Sequence, residues 1–226
     1  MPIIWYMNTE NVYVEYNKKV IKGRRRSKKN GFYDRHFDHI FNQIIHCPTK
    51  RVKNLMKKLD MCPGSDGDSY KNVVFEASKA FFGEIIYAEG AICERSSKGG
   101  RIDIELPFRA SMLYKYPFWK PWYYEYKIRS ILIEVKNTVK GNYSNGVQLQ
   151  GYLTGAKRGR FGLVVSRNGF TKNILLNLRS YTEDNNGLIL PIDHNDLKEL
   201  LQLSTIDLGE VVNYLSDKEK KLLQVA

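Results

Sequence analysis

Two carboxylates and a lysine lie on strand-like segments of this 226-residue chain, at spacings that could support chemistry. The first segment reads RIDIEL and carries Asp103, and the second reads ILIEVK and carries Glu134 and Lys136. Because successive side chains of a strand point to opposite faces, Ile102 and Ile104 should share one face, with Asp103 on the other. The same alternation places Glu134 and Lys136 together. If the two strands are neighbours, all three polar side chains meet.

Such a group would suit the hydrolysis of a phosphodiester bond. Two facing carboxylates repel each other unless a cation lies between them, and ligands that are all oxygen favour Mg²⁺, with Mn²⁺ as a substitute. A lysine beside them would lie close to a metal-bound water and to a substrate phosphate. The alternative is an ordinary exposed strand on which Glu and Lys alternate, because this spacing also occurs by chance.

The net charge of +12 is concentrated in one segment. Residues 18–58 contain 14 Lys or Arg and two acidic residues, and the rest of the chain contains 22 of each sign. A phosphate backbone is the natural partner of such a segment, because each neutralised phosphate releases counterions. The alternative is a solvated basic arm that only aids solubility. The predicted nucleic-acid contacts are Lys22, Arg24, Arg25, Arg26, Lys28, Lys29, Arg51, Lys53, Lys57 and Lys58.

A stretch rich in Pro, Gly, Asp and Ser, CPGSDGDS at 62–69, indicates a linker or long turn. It divides the chain into a basic N-terminal region and linker, 1–69, and a second domain, 70–226. Before it, IIWYM and VYVEY are typical of strands, and TKRVKNLMKKL predicts an amphipathic helix with lysines on the face opposite Val52, Leu55 and Leu59.

The second region alternates helices and strands. A helix is predicted over 73–89, strands near 91–94, 101–106, 131–135, 161–166 and 187–192, and helices over 146–154 and 195–203. ILLNL, 174–178, fits either type, and a last helix should begin at Ser216, which has Glu219 three residues later. These elements predict an α/β fold with a central mixed β-sheet flanked by helices.

The order of these motifs resembles the PD-(D/E)xK nuclease superfamily, and within it most closely the Mrr-type restriction endonuclease domain. The resemblance covers about residues 70–205. It rests on FE at 75–76, GGRIDI, IEVKN, QLQGY, SRNGFTKN and LPIDHNDLKELL, in the family's order. The chain departs from the family in lacking the proline before Asp103 and in its long insertion between Leu106 and Ser130.

The resemblance implies a restriction-endonuclease-like core with a basic N-terminal extension, and it implies roles for several residues. Asp103, Glu134 and the Val135 carbonyl would bind Mg²⁺, and Glu76 would reach the metal through water. Lys136 would orient the nucleophilic water or stabilise the charged transition state. In the helix that carries QLQGY, Gln148 would hydrogen-bond near the scissile phosphate, with Tyr152 supporting it one turn later.

Some assignments have rivals. Glu84 lies eight residues after Glu76, on nearly the same face of the predicted helix, and is the alternative to it. Glu105 is expected to be an exposed carboxylate that pairs with Arg101, and the alternative is that it is an extra metal ligand. The aromatic insertion YKYPFWKPWYYEY, 114–126, is expected to be an extended hydrophobic hairpin used for dimerisation, or else a surface that stacks on unpaired bases.

The expected activity is that of a magnesium-dependent DNA endonuclease in restriction or defence. The alternatives are a repair or recombination nuclease such as a junction resolvase, and a non-catalytic nucleic-acid-binding module. RNA is not excluded as a substrate. The expected partners are DNA, a second copy of the chain and a larger recognition or NTPase subunit. With 42% hydrophobic residues, no apolar run long enough for a membrane span and three scattered cysteines, a cytoplasmic location is expected.

Overall fold

A computed structural model of the chain describes residues 48–64, 66–97, 100–137, 143–154, 159–185 and 187–226. Its centre is a five-stranded mixed sheet in the order β1-β2-β3-β4-β5. The first three strands are antiparallel neighbours, and β3, β4 and β5 run parallel. The strands are β1 Ile92–Ser97, β2 Gly100–Pro107, β3 Ser130–Lys136, β4 Phe161–Ser166 and β5 Leu188–Asp193. The sequence prediction of an α/β fold with a mixed sheet is therefore confirmed.

Helices cover both faces of this sheet. They are α1 Thr49–Met61, α2 Gly67–Phe82, α3 Lys120–Tyr126, α4 Tyr143–Thr154, α5 Lys172–Asn185, α6 His194–Leu203 and α7 Leu208–Leu223. One face packs against α1, α2, α6, most of α7 and the aromatic insertion, and the other packs against α4 and α5. The ambiguous segment ILLNL is thus helical, because it lies in α5 and buries Ile174 and Leu178 on the sheet.

Helix α1 has the predicted amphipathic pattern. Val52, Leu55 and Leu59 are buried in the same hydrophobic cluster as the sheet, and the lysines of the opposite face are exposed. Helix α1 contacts α2 and α6. A helix placed before the supposed linker therefore packs in the core of the sheet-bearing region. The two predicted strands nearer the N-terminus lie outside the described residues.

Helix α2 begins six residues earlier than predicted and ends seven residues sooner. The Asp66 carboxylate accepts a hydrogen bond from the Ser69 amide at 2.9 Å and caps the helix start. At the other end, Gly83 has a φ of +58°, a left-handed conformation that glycine adopts easily and that stops the helix. Glu84 consequently lies in a short 3₁₀ turn, so the prediction that it shares a helical face with Glu76 is wrong.

The aromatic insertion is not an extended hairpin. It forms one 3₁₀ turn, Pro117–Trp119, and α3, and most of its rings pack inwards, whereas Tyr114 and Tyr124 are exposed. Trp119 is 1% exposed and contacts Phe82, Phe108, Trp122 and Phe161. The side chains fill one end of the core because burying large aromatic surface is favourable. The prediction of a homodimer loses the exposed hairpin on which it was based.

The last helix begins at Leu208, well before Ser216. Asp207 caps it by accepting a hydrogen bond from the Gly209 amide at 2.9 Å, and Ser216 lies in its interior. A reciprocal capping box does occur, but one element earlier: Asp193 accepts from the Asp196 amide, and the Asp196 side chain accepts from the Asp193 amide.

Candidate active site

The side chain of Asp103 takes the place of a ladder hydrogen bond between β2 and β3. The paired residues of these strands run from Pro107 and Ser130 to Ile104 and Ile133. One step further, the Asp103 Oδ2 atom accepts a hydrogen bond from the Val135 amide at 2.9 Å. The carboxylate is therefore held directly against the backbone of the strand that carries Glu134 and Lys136.

The regular alternation of side chains between the two faces of the sheet is interrupted in β2 at Asp103. Ile104 belongs to the hydrophobic cluster under α2, whereas Ile102 belongs to the cluster under α4, although regular alternation would place them together. The pairing of β1 with β2 skips Glu94, which has a φ of +65°. The prediction that Ile102 and Ile104 share a face is therefore wrong, because the strand is distorted at this point.

Glu134 and Lys136 emerge on one face of β3, as alternation predicts. The Glu134 side chain is 2% exposed, and its Oε1 atom lies 2.8 Å from the Lys136 Nζ atom. Lys136 is 30% exposed, so its ammonium reaches the surface while it pairs with the buried carboxylate. The ion pair lies near the carboxyl end of β3, where Lys136 is the register partner of Ser166 on β4.

Burial and a like charge make ionisation of Glu134 unfavourable. Removal from water raises the pKa of Glu134, and the neighbouring Asp103 carboxylate raises it further, while Lys136 lowers it less. The Lys136 ammonium therefore does not fully offset the burial and the like charge at this carboxylate pair. The electrostatics of the site therefore favour a further cation beside Asp103 and Glu134.

Helix α4 brings the predicted glutamine and tyrosine to the face of the sheet that carries Glu134. Tyr152 is buried in the cluster that contains Leu132 of β3. Gln148 is exposed, and its Nε2 atom donates to the Tyr152 hydroxyl at 3.2 Å. The exposed side chain of Gln148 is thus supported by a buried residue one helical turn later.

The predicted acidic residue of α2 lies in a different setting. Glu76 forms ion pairs with Arg51 of α1, at 3.3 Å, and with Lys79. Its rival Glu84 accepts hydrogen bonds from Lys115 and from the Tyr116 hydroxyl. Neither carboxylate has a described contact with Asp103 or Glu134. The water-mediated metal contact expected of Glu76 stays a prediction.

Glu105 is not the exposed carboxylate that the sequence suggested. Its side chain is buried and accepts a hydrogen bond from the Ser130 hydroxyl at 3.0 Å, across the β2–β3 pair. This contact satisfies a polar group inside the sheet. Glu105 thus has a described partner within the sheet, away from the solvent.

Two charged residues near Asp103 escaped the sequence analysis. Glu94 stands on β1 where the register passes Asp103, and Lys71 of α2 forms an ion pair with Glu94. Lys71 is nearly buried, and it lies close enough to Asp103 to interact with its charge. Only the packing of α2 on the sheet brings these residues together, so no motif could have found them.

The residue after Lys136 anchors the end of β3. Asn137 is 4% exposed, and its Nδ2 atom donates to the carbonyls of Pro63 and Asp66 at 2.8 and 2.7 Å. Its Oδ1 atom accepts from Arg167 at 3.2 Å, and Arg167 also donates to the Cys62 carbonyl. The segment predicted to be a linker is thus fixed to the strand ends beside the site.

The predicted nucleic-acid contacts divide into two groups. Lys22, Arg24, Arg25, Arg26, Lys28 and Lys29 lie outside the described residues. Arg51, Lys53, Lys57 and Lys58 lie on the exposed side of α1. Lys53 and Lys57 are one turn apart and therefore project from the same side of the helix. Arg51 is tied to Glu76, so the lysines are the more available charges.

The donor set suits a magnesium ion that keeps part of its water shell. Among the described residues, no group of three or more His, Cys, Asp and Glu side chains is arranged to hold a metal. Mg²⁺ commonly binds through one or two carboxylates and completes its shell with water and substrate phosphate. Asp103 and Glu134 can supply those two carboxylates, and the Val135 carbonyl is adjacent in sequence. The residues present therefore fit the ion.

Comparisons with protein-family models, with curated proteins and with solved structures find nothing that matches this chain. Within the described part of the chain, no helix combines the length and the apolar character that crossing a membrane requires.

Proposed function

We propose that this chain is a metal-dependent endonuclease that hydrolyses phosphodiester bonds of DNA. The observation that carries the proposal is the buried carboxylate of Glu134, which lies beside Asp103 and is paired with Lys136 at the end of a central strand. A buried carboxylate beside a second, partly buried one is costly, and a fold that serves only as a scaffold has no need of such a pair. A divalent cation would relieve that cost.

The order of the elements agrees with the restriction-endonuclease-like core that the motifs imply. Three antiparallel strands carry Asp103 and Glu134, and α4 then leads to the parallel strand β4. Gln148 and Tyr152 lie on that connecting helix and on the face of Glu134. The motifs GGRIDI, IEVKN and QLQGY thus fall on elements in which they could act together.

Each residue has a role that follows from its position. A Mg²⁺ bound at Asp103 and Glu134 would supply an activated water and neutralise charge that develops on the phosphate. Asp103 is held by the Val135 amide, so its second oxygen has a fixed direction. Lys136, partly exposed, can turn its ammonium to the nucleophilic water or to a phosphate oxygen. Gln148 can donate to a neighbouring phosphate.

The DNA partner is supported by charge. The segment from Lys18 to Lys58 carries the whole net charge of the chain, and its described part ends in α1 with an exposed row of lysines. Exposed lysines bind phosphate without regard to sequence. The sheet-bearing part of the chain would then perform the chemistry on DNA that the basic segment retains.

A cleavage assay with defined DNA forms tests the proposal. Supercoiled, linear, single-stranded and branched DNA are incubated with the full chain in Mg²⁺, Mn²⁺ or EDTA. We expect internal cleavage with either metal and none in EDTA. Preference for branched DNA would favour a resolvase over a restriction enzyme. Binding without cleavage in every metal would favour the non-catalytic module and contradict the proposal.

A further inference from the structure

Charged side chains continue across the sheet beyond the residues of the motif. Glu94 on β1 lies opposite Asp103, because the register pairs Cys93 with Ile104 and Arg95 with Ile102. Asp103 in turn interacts with Glu134 on β3. A lysine forms an ion pair with each of the two outer carboxylates. The charged row therefore consists, in order, of Lys71, Glu94, Asp103, Glu134 and Lys136.

Lys71 is an unusually buried cation. Its side chain is 7% exposed, and its Nζ atom donates to Asp68 at 2.9 Å as well as to Glu94. Burial alone would lower the pKa of Lys71, but hydrogen bonds to Glu94 and Asp68 and the charge of Asp103 raise it overall. The ammonium is therefore a permanent positive charge at the edge of the carboxylate pair.

Glu94 has an unfavourable backbone conformation that the surrounding fold enforces. Its φ of +65° lies in the left-handed region, which a residue with a long side chain rarely occupies. Such a conformation persists only where the surroundings enforce it. Here it coincides with the skipped pair in the β1–β2 register and with the change of facing of β2 at Asp103.

We propose that Lys71 and Glu94 belong to the active site and that their opposite charges set its affinity for a divalent cation. The inference rests on the proposed function. Three carboxylates and two ammonium groups give these five residues one net negative charge. Each of the fixed charges therefore has a large effect on the affinity of the site for a divalent cation. Lys71 repels the ion and weakens its binding, whereas Glu94 attracts the ion and strengthens it. Lys71 acts through the field at Asp103 and is not itself a ligand.

Calorimetric titration of the full chain with Mn²⁺, without DNA, tests this assignment. Lys71→Met should bind Mn²⁺ about tenfold more tightly, because a nearby positive charge is gone. Lys71→Arg keeps the charge and should match the wild type. Glu94→Gln should bind several-fold more weakly, and since Glu94 is 40% exposed this variant should fold even if Lys71→Met does not. Lys218→Met, which breaks a remote ion pair with Asp196, is the matched control and should not change the affinity.

Lys71→Met and Glu94→Gln are expected to change the Mn²⁺ affinity in opposite directions. This distinguishes an electrostatic effect from a loss of folded structure, which would weaken binding in both variants. If Lys71→Met binds as the wild type does or more weakly, or if Glu94→Gln does not bind more weakly, the inference is wrong and these residues only hold α2 against β1. If the wild-type chain binds no Mn²⁺, the proposed function fails and the inference fails with it. Binding by the wild type with unchanged affinity in both variants would overturn the inference alone.

Discussion

At the scale of single residues, Glu134 sets the character of the site. Its carboxylate is 2% exposed and lies beside a second carboxylate, and both features raise its pKa. The charged form is therefore less well stabilised by its surroundings than the protonated form is. The ion pair with Lys136 offsets part of the free-energy cost of ionising Glu134, and the Lys136 ammonium is itself partly exposed to solvent. The folded protein thus retains a group that opposes its stability at neutral pH.

Glu134→Gln should stabilise the protein while removing the proposed nuclease activity. The folded-state pKa of Glu134 is raised, so the folded protein holds a proton more firmly than the unfolded chain, and stability falls as pH rises through that window. The amide removes the charge, and we expect the free energy of unfolding at pH 7 to increase by about 1 kcal/mol.

Chemical denaturation at several pH values measures this effect. The gain should disappear in acid, below the ordinary carboxyl pKa, where Glu134 is protonated in both states. Glu183→Gln, on the exposed surface of α5, serves as the control. A loss of stability at pH 7 in Glu134→Gln would show that the ion pair with Lys136 outweighs burial.

At the scale of elements, the site depends on how the strand ends are joined to the α1–α2 turn. Asn137 donates two hydrogen bonds to carbonyls of that turn and accepts one from Arg167. Asn137→Ala would remove the two hydrogen bonds that the side chain donates to this turn, and we expect a loss of roughly 1–3 kcal/mol in the free energy of unfolding.

Asn137→Asp tests the direction of these bonds, because a carboxylate has the same shape but cannot donate. It should be at least as destabilising as Asn137→Ala in thermal or chemical unfolding. The same two changes at Asn195, which is exposed on α6, should have little effect. If Asn137→Asp is as stable as the wild type, the two carbonyl hydrogen bonds do not hold the turn.

The sequence revealed those elements whose patterns are regular. The amphipathic helix α1, the strands β1 to β5 and the shared face of Glu134 and Lys136 follow from spacing alone. Spacing does not predict the face of the sheet on which Ile102 lies. The distortion at Glu94 interrupts the alternation, and no glycine or proline at that position indicates it. Asp66 had the chemistry of a helix cap, but its setting among Pro, Gly and Ser was interpreted as a linker. Lys71 reaches the site only through long-range packing.

At the scale of the whole molecule, the charge is separated from the proposed chemistry along the chain. Replacing Lys53, Lys57 and Lys58 by Gln should weaken DNA binding and reduce its salt dependence. The slope of log affinity against log salt concentration should become less steep by up to about 0.9 for each phosphate that the protein no longer neutralises. The same replacements at Lys120, Lys220 and Lys221, which are exposed elsewhere, form the control. Fluorescence anisotropy over a range of salt concentrations measures both slopes. Equal slopes for the two triple variants would exclude α1 as a DNA-binding element.

The most direct test of the central claim is the rate at which Asp103→Asn cleaves supercoiled DNA in Mg²⁺, measured together with its DNA affinity. Asp103 accepts the Val135 amide hydrogen bond through one oxygen, and Asn can accept the same bond, so the fold should be preserved. We expect cleavage to fall by at least about a thousandfold while DNA affinity stays equal or increases, because one of the negative charges beside the phosphate is removed. Cleavage by Asp103→Asn at the wild-type rate would contradict the assignment of Asp103 and Glu134 as the catalytic pair.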